Sequence, residues 1–328
     1  MLSMFQSTVP QDFGDGTGAV DHLRAALINC RNADGGWAYY AGKKSRLEPT
    51  ACALMAIACC DAVGAGDAVV RTAALFARWQ RTDGLMACVP GAPPSSAFNG
   101  LAALALLSVP PAAAPAGGVH SVLKPLLDGI VRSKGSKAPL MKRITVWLAP
   151  SRKISRQNDD LQGWSWLEGT FSWVEPTAWC LLALKKAGKL LNGSSAGDRI
   201  EEAERLLMDR CCLNGGWNYG NSNMLGKELR PYVPTTAIAL LALQDRRETQ
   251  EVRRSFEFLR LNQLKEESGL ALALAALALR TYGSVSGDVE ARLREQLART
   301  GFLGNNVARA LALCALSGGQ SGCRPFAL

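Results

Sequence analysis

The chain has 328 residues, 48% of them hydrophobic and 20% charged, with a formal net charge of +9. That length allows one large domain or two ordinary ones. Its ten cysteines include no C-x-x-C pair and sit mostly inside helical runs, so neither a zinc knuckle nor a disulfide framework is indicated and Cys reads as a small hydrophobe of a reduced interior. The first residues, MLSMFQSTVPQDFGDG, hold neither a basic stretch nor an apolar core, so no signal peptide is expected and the chain reads as cytoplasmic.

Along the chain two kinds of helix alternate. Amphipathic helices are predicted over Val20 to Cys30, Asp67 to Gln80, Val119 to Val131, Arg199 to Cys212, Thr249 to Asn262 and Asp288 to Arg299. Each is followed by a run built almost wholly from Ala and Leu: Thr50 to Ala62, Ser96 to Ser108, Pro176 to Ala187, Thr235 to Gln244, Gly269 to Thr281 and Asn305 to Ser317. A helix that is apolar all round must be buried on all sides, and runs of about a dozen residues are too short to span a bilayer. Six inner helices covered by six outer ones predict an all-α fold, a closed (α/α)6 toroid formed as one domain over 1–328.

Loops between outer and inner helices repeat Gly-Gly-Trp or a relic of it: NADGGWAYY from Asn32, RTDGLMA from Arg81, LQGWSW from Leu161 and LNGGWNY from Leu213. The glycines let the chain leave a helix through positive φ, and the Trp can pack between helix pairs. Inner helices then open with Glu-Pro-Thr-Ala at Glu48 and Glu175, and with Pro-Thr-Thr-Ala at Pro234, Pro being suited to a first helical turn. The regularity breaks at about 110–160, a basic insert between repeats two and three. From Val119 to Arg156 nine Lys or Arg face Asp128 alone, so nearly all of the positive excess lies there. Within the insert, residues 138–150 set apolar side chains beside Lys142, Arg143 and Trp147, which reads either as contact with an anionic membrane surface at the inner face or as a solvated loop. No aromatic stacking platform accompanies the charge, so no nucleic-acid partner is expected.

Gly-Gly-Trp followed by EPTAWCLLAL closely resembles the repeats of squalene-hopene cyclases and, less closely, those of protein prenyltransferase β-subunits, over residues from about 20 to 317. The resemblance implies a deep apolar funnel lined by inner helices, an isoprenoid-like hydrophobic ligand and acid-initiated cyclisation. Such cyclases use a D-x-D-D acid, which this chain lacks. The carboxyls offered instead are Glu175, Asp160 and Glu48, although a Glu at a helix start also answers the helix dipole and Asp160 suits a solvated turn. Aromatic faces that would hold a cationic intermediate are Trp166, Trp173 and Phe171, with Trp37 and Trp217 from the other loops.

The zinc ligands of the prenyltransferases have no counterpart, so neither metal nor other cofactor is expected. Their diphosphate motif Gly-Arg-x-x-Lys has matched forms in Gly42 to Arg46 and Gly226 to Arg230, which places Lys43, Arg46, Lys227 and Arg230 as anion-binding candidates on opposite sides of one rim. The reading is thus a terpene-cyclase-like enzyme. The alternatives are a non-catalytic toroid that binds a lipid or peptide, a zinc-free prenyl-diphosphate-binding protein, and an (α/α)6 carbohydrate-active enzyme with facing carboxylates. The cyclases enclose substrate between two such barrels, and here a dimer could stand in for the second.

Overall fold

The computed structural model describes residues 17–60, 65–110, 113, 118–137, 156–191, 194–318 and 324–328. The segment 138–150, read as a membrane contact, lies outside them. Among the described residues are twelve α-helices: α1 (Thr17–Asn29), α2 (Leu47–Cys60), α3 (Gly66–Trp79), α4 (Ser96–Leu107), α5 (Gly118–Arg132), α6 (Val174–Ala187), α7 (Ser194–Asp209), α8 (Val233–Ala242), α9 (Gln250–Asn262), α10 (Gly269–Thr281), α11 (Gly287–Thr300) and α12 (Asn306–Leu316). None is long and apolar enough to cross a membrane.

The even-numbered helices form the inner ring, each packed on the next, and α12 closes on α2. At that seam the Asn306 amide donates to the Ala38 carbonyl at 2.9 Å and the Asn306 backbone N–H to the Tyr39 carbonyl at 2.8 Å. Outer helices cover the ring through one stripe, as α11 does with Val289, Leu293, Gln296 and Leu297. The expected alternation is therefore present six times.

A repeated bracket ties loop to inner helix in the first four repeats. The Trp37 backbone N–H donates to Thr50 Oγ1 at 2.9 Å, and that hydroxyl donates back to the Trp37 carbonyl at 3.1 Å. Trp164 and Thr177 repeat this thirteen residues apart, as do Met86 and Asn99 with the Asn amide as bracket. In the fourth repeat the partners are Trp217 and Thr236, nineteen apart, and the longer loop contains the β-hairpin Asn223–Met224 with Lys227–Glu228. The indole N–H groups of Trp37, Trp164 and Trp217 donate to Leu27, Ile130 and Leu207, capping carbonyls at the ends of the preceding outer helices. Gly-Gly-Trp is thus a clasp between one outer and one inner helix. Thr177→Val keeps the shape but orphans a buried N–H, so a loss of about 1–3 kcal/mol is expected in urea denaturation.

Within the ring Leu54, Leu104, Leu181 and Leu240 are fully buried, and Leu274 and Leu311 nearly so. Open surface inside the ring remains at the N-terminal mouth, where Glu48, Phe98 and Glu175 are half-buried.

Candidate active site at the mouth of the ring

Two carboxyls sit at that mouth, near enough for the Glu48 charge to act on Glu175. Glu48 and Glu175 occupy the second positions of α2 and α6, inner helices separated in the ring by α4. A helix N-terminus favours the charged form of a carboxyl, but only by about 0.3–1 kcal/mol at the surface. Removal from water outweighs it here: burial raises both Glu48 and Glu175 above the usual range. Glu175 is pushed up to about 7, by burial first and the Glu48 charge second, with the Trp179 indole opposing the rise. The Tyr39 hydroxyl donates to the Glu48 carboxylate. Burial and the Glu48 charge hold that phenol far above its ordinary value, so it stays a donor. Near neutral pH the mouth therefore holds one carboxyl able to carry a proton beside one fixed by a phenol.

Aromatic surface adjoins the acids. Trp166 is half-buried and meets Phe98 edge to face, with ring centroids 5.9 Å apart. Trp173, the residue before α6, is 38% exposed, and Phe171 is 56% exposed. On the first-repeat side a cavity of about 470 Å³ is lined by Tyr39, Tyr40, Lys43, Lys44, Arg46 and Asn305. Lys227 and Arg230 sit exposed on and beside the hairpin of the fourth repeat, across the ring.

No family model and no curated protein sequence matches this chain. Solved structures do match in fold. A protein from Actinoplanes superposes over 93% of this chain and all of its own, with a TM-score of 0.56 at 17% identity. A GH76 α-mannanase from Bacteroides thetaiotaomicron gives 0.57 at 11% identity over 93% of this chain and 97% of its own. A variant of the type II terpene cyclase MstE from Scytonema, in complex with its substrate geranylgeranyl dihydroxybenzoate, gives 0.50 at 15% identity over 88% and 77%. The chain has the α/α-toroid fold that these proteins share.

Within this toroid several expected residues lie elsewhere. Trp37 and Trp217, expected at the substrate wall, are fully buried and spend their indole N–H groups on outer-helix carbonyls, so they are clasps. Asp160 is exposed on a turn whose neighbour Asn158 donates its backbone N–H to Asp209 at the end of outer helix α7, away from the inner-helix starts. Two mouth residues are not marked by the sequence: Tyr39 follows the Gly-Gly-Trp motif by two positions, and Phe98 stands among the small residues at the start of the Ala and Leu run. Trp179, buried, lies one turn below Glu175. Among the described residues no group of three His, Cys, Asp or Glu is placed to hold a metal ion.

Proposed function

We propose that this toroid is an acid–base enzyme of class II terpene-cyclase-like chemistry, with an isoprenoid chain as substrate. The observation that carries the reading is the placement of the Glu175 carboxyl, which burial pushes up to about 7, at one mouth with Glu48 and the Trp166–Phe98 pair. Glu175 transfers its proton to one carbon of a substrate double bond, leaving a carbocation at the other. The next double bond attacks that cation, and loss of a proton to water or to a carboxylate at the mouth closes the sequence. Faces of Trp166, Trp173 and Phe171 stabilise the travelling charge by about 0.5–2 kcal/mol each. The fold of MstE, whose substrate carries a geranylgeranyl chain, supports this reading. Incubation with squalene, oxidosqualene and geranylgeranyl diphosphate, with products separated by gas chromatography and mass spectrometry, tests it. A cyclised isomer that disappears in Glu175→Gln is expected; unchanged substrates with folded protein overturn catalysis, and tight binding alone makes the toroid a carrier.

Two observations support narrower roles. Lys43, Lys44 and Arg46 around one cavity fit the diphosphate of a prenyl substrate, and the exposed Lys227 and Arg230 of the fourth repeat are a second candidate set. Lys43→Ala with Arg46→Ala should weaken farnesyl diphosphate binding tenfold or more in calorimetry and leave farnesol unaffected. Paired carboxyls in one mouth, together with the GH76 neighbour, favour glycoside hydrolysis as a second reading. New reducing ends released from α-mannan, and lost in both Glu175→Gln and Glu48→Gln, would select it. Contact of 138–150 with an anionic membrane is a further proposal, which liposome flotation with and without that segment decides.

A further inference from the structure

The closed end of the ring is occupied by the end of the chain. Residues 324–328 run beneath the C-terminal ends of α6 and α8. Lys186 Nζ donates to the carbonyls of Arg324 at 2.9 Å and Ala327 at 2.7 Å. Gln244, itself 7% exposed, grips both edges of the same segment: its amide donates to the Phe326 carbonyl at 2.8 Å, and its oxygen accepts from the Leu328 N–H at 3.1 Å. Four hydrogen bonds on five residues hold the segment as a built part of the fold.

What they hold in place is Phe326. Its ring is 2% exposed and lies 5.8 Å from that of Trp179, at an interplanar angle of 44°. Trp179, 3% exposed, lies four residues from Glu175 on the same face of α6, one helical turn below it, with its indole near enough to oppose the rise in the Glu175 pKa. Four residues of α-helix rise about 6 Å. Phe326, Trp179 and Glu175 therefore form one column from the closed end of the ring to the mouth.

We propose that the C-terminal segment is the floor beneath the acid, and that Phe326 is a positioning residue, which holds Trp179 against Glu175 and keeps water from reaching the carboxyl from below. The proposal rests on Glu175 being the acid of the function proposed above. Phe326 itself touches no substrate.

The charged surroundings of Glu175 are few. Glu48 faces it from α2, and the neighbouring inner helices α4 and α8 carry no titratable side chain. On the outer helices Arg199 of α7 is engaged with Trp164 and Glu202, and Lys124 of α5 is paired with Asp128. Arg324 of the floor is exposed. Loss of Phe326 thus changes two things at Glu175: water enters, which lowers its pKa, and the indole loosens, which raises it. Burial is the largest cause of the present shift, so the net movement is downward.

The test is a pH titration of the Glu175 carboxyl by 13C NMR of glutamate-labelled protein, assigned with Glu175→Gln, alongside the Trp179 indole N–H resonance. Phe326→Ala and a chain lacking residues 324–328 should lower the midpoint by a pH unit or more and shift the indole signal, and Phe326→Leu should retain both. A midpoint in Phe326→Ala that is unchanged or raised, with only the melting temperature reduced, overturns the positioning role. If the shortened chain does not fold, the two point variants decide. A wild-type midpoint in the ordinary carboxylate range sinks the acid, whereas the indole resonance still reports whether Phe326 holds Trp179. The two failures are thereby distinguishable.

Discussion

Glu175→Gln is expected to lose roughly 10²–10⁴-fold in turnover and, at pH 8, to unfold at higher urea concentration than the wild type. Both effects come from one cause. As the initiating acid, Glu175 must be protonated, so kcat/KM should fall as pH rises through about 7. In the unfolded chain the same carboxyl titrates near its usual 4.5. Below that value the group is neutral in both states and costs nothing. Between 4.5 and about 7 the folded state holds a proton that the unfolded state has released, and native stability declines steadily. Above 7 both states are ionised, and the full penalty for a charge in that wall is present. A shift of this size corresponds to about 3 kcal/mol as an upper bound, reduced because the half-buried group still meets some water. Gln carries no charge to bury, so at pH 8 the variant should gain on the order of 1–3 kcal/mol over the wild type and at pH 4 nothing. Denaturation curves at the two pH values measure the difference. A variant that is no more stable at pH 8 than at pH 4, relative to wild type, removes the case for a strained acid at this position.

The alternation of helices was legible because it rests on composition. A run of Ala and Leu with no polar face has one place to go, and the limits over Gly269 to Thr281 coincide with α10. At α2 and α6 the helix begins before the residues that announce it: Leu47 and Val174 precede the Glu-Pro-Thr-Ala motifs, and Pro is tolerated within the first turn. Side-chain destinations were less legible. Trp37 and Trp166 look alike as loop tryptophans, and what separates them is the Thr thirteen residues beyond Trp37 that brackets its backbone. The partnership of Glu48 and Glu175 was hidden for another reason. They are far apart in sequence, and their approach depends on the ring placing α2 and α6 on either side of α4. Phe326 lies beyond the last repeat, where no periodicity points to it.

The sharpest contrast between architecture and chemistry is two residues long. Trp164→Ala should destabilise the protein by about 3–5 kcal/mol, whereas Trp166→Ala should cost about 1 kcal/mol and fall instead on ligand affinity or turnover. Trp164 is fully buried, and its indole N–H donates to the Ile130 carbonyl at 2.9 Å. The Arg199 guanidinium lies 4.2 Å from its ring centroid. That guanidinium is itself buried, with bonds to the Gln162 and Gly163 carbonyls and to Glu202. Removing the ring therefore opens a cavity, uncaps the end of α5 and strips one face from a buried cation. Against a total stability of about 5–15 kcal/mol, such a loss brings the third repeat close to unfolding. Trp166 has a partner on one edge, Phe98, and open mouth on the other. Its replacement leaves a dent that water fills, at little cost to the fold. Urea denaturation ranks the two stabilities, and turnover or prenyl-ligand affinity ranks the functional losses. If Trp166→Ala proves the more destabilising, its ring belongs to the core and the aromatic wall loses its central member.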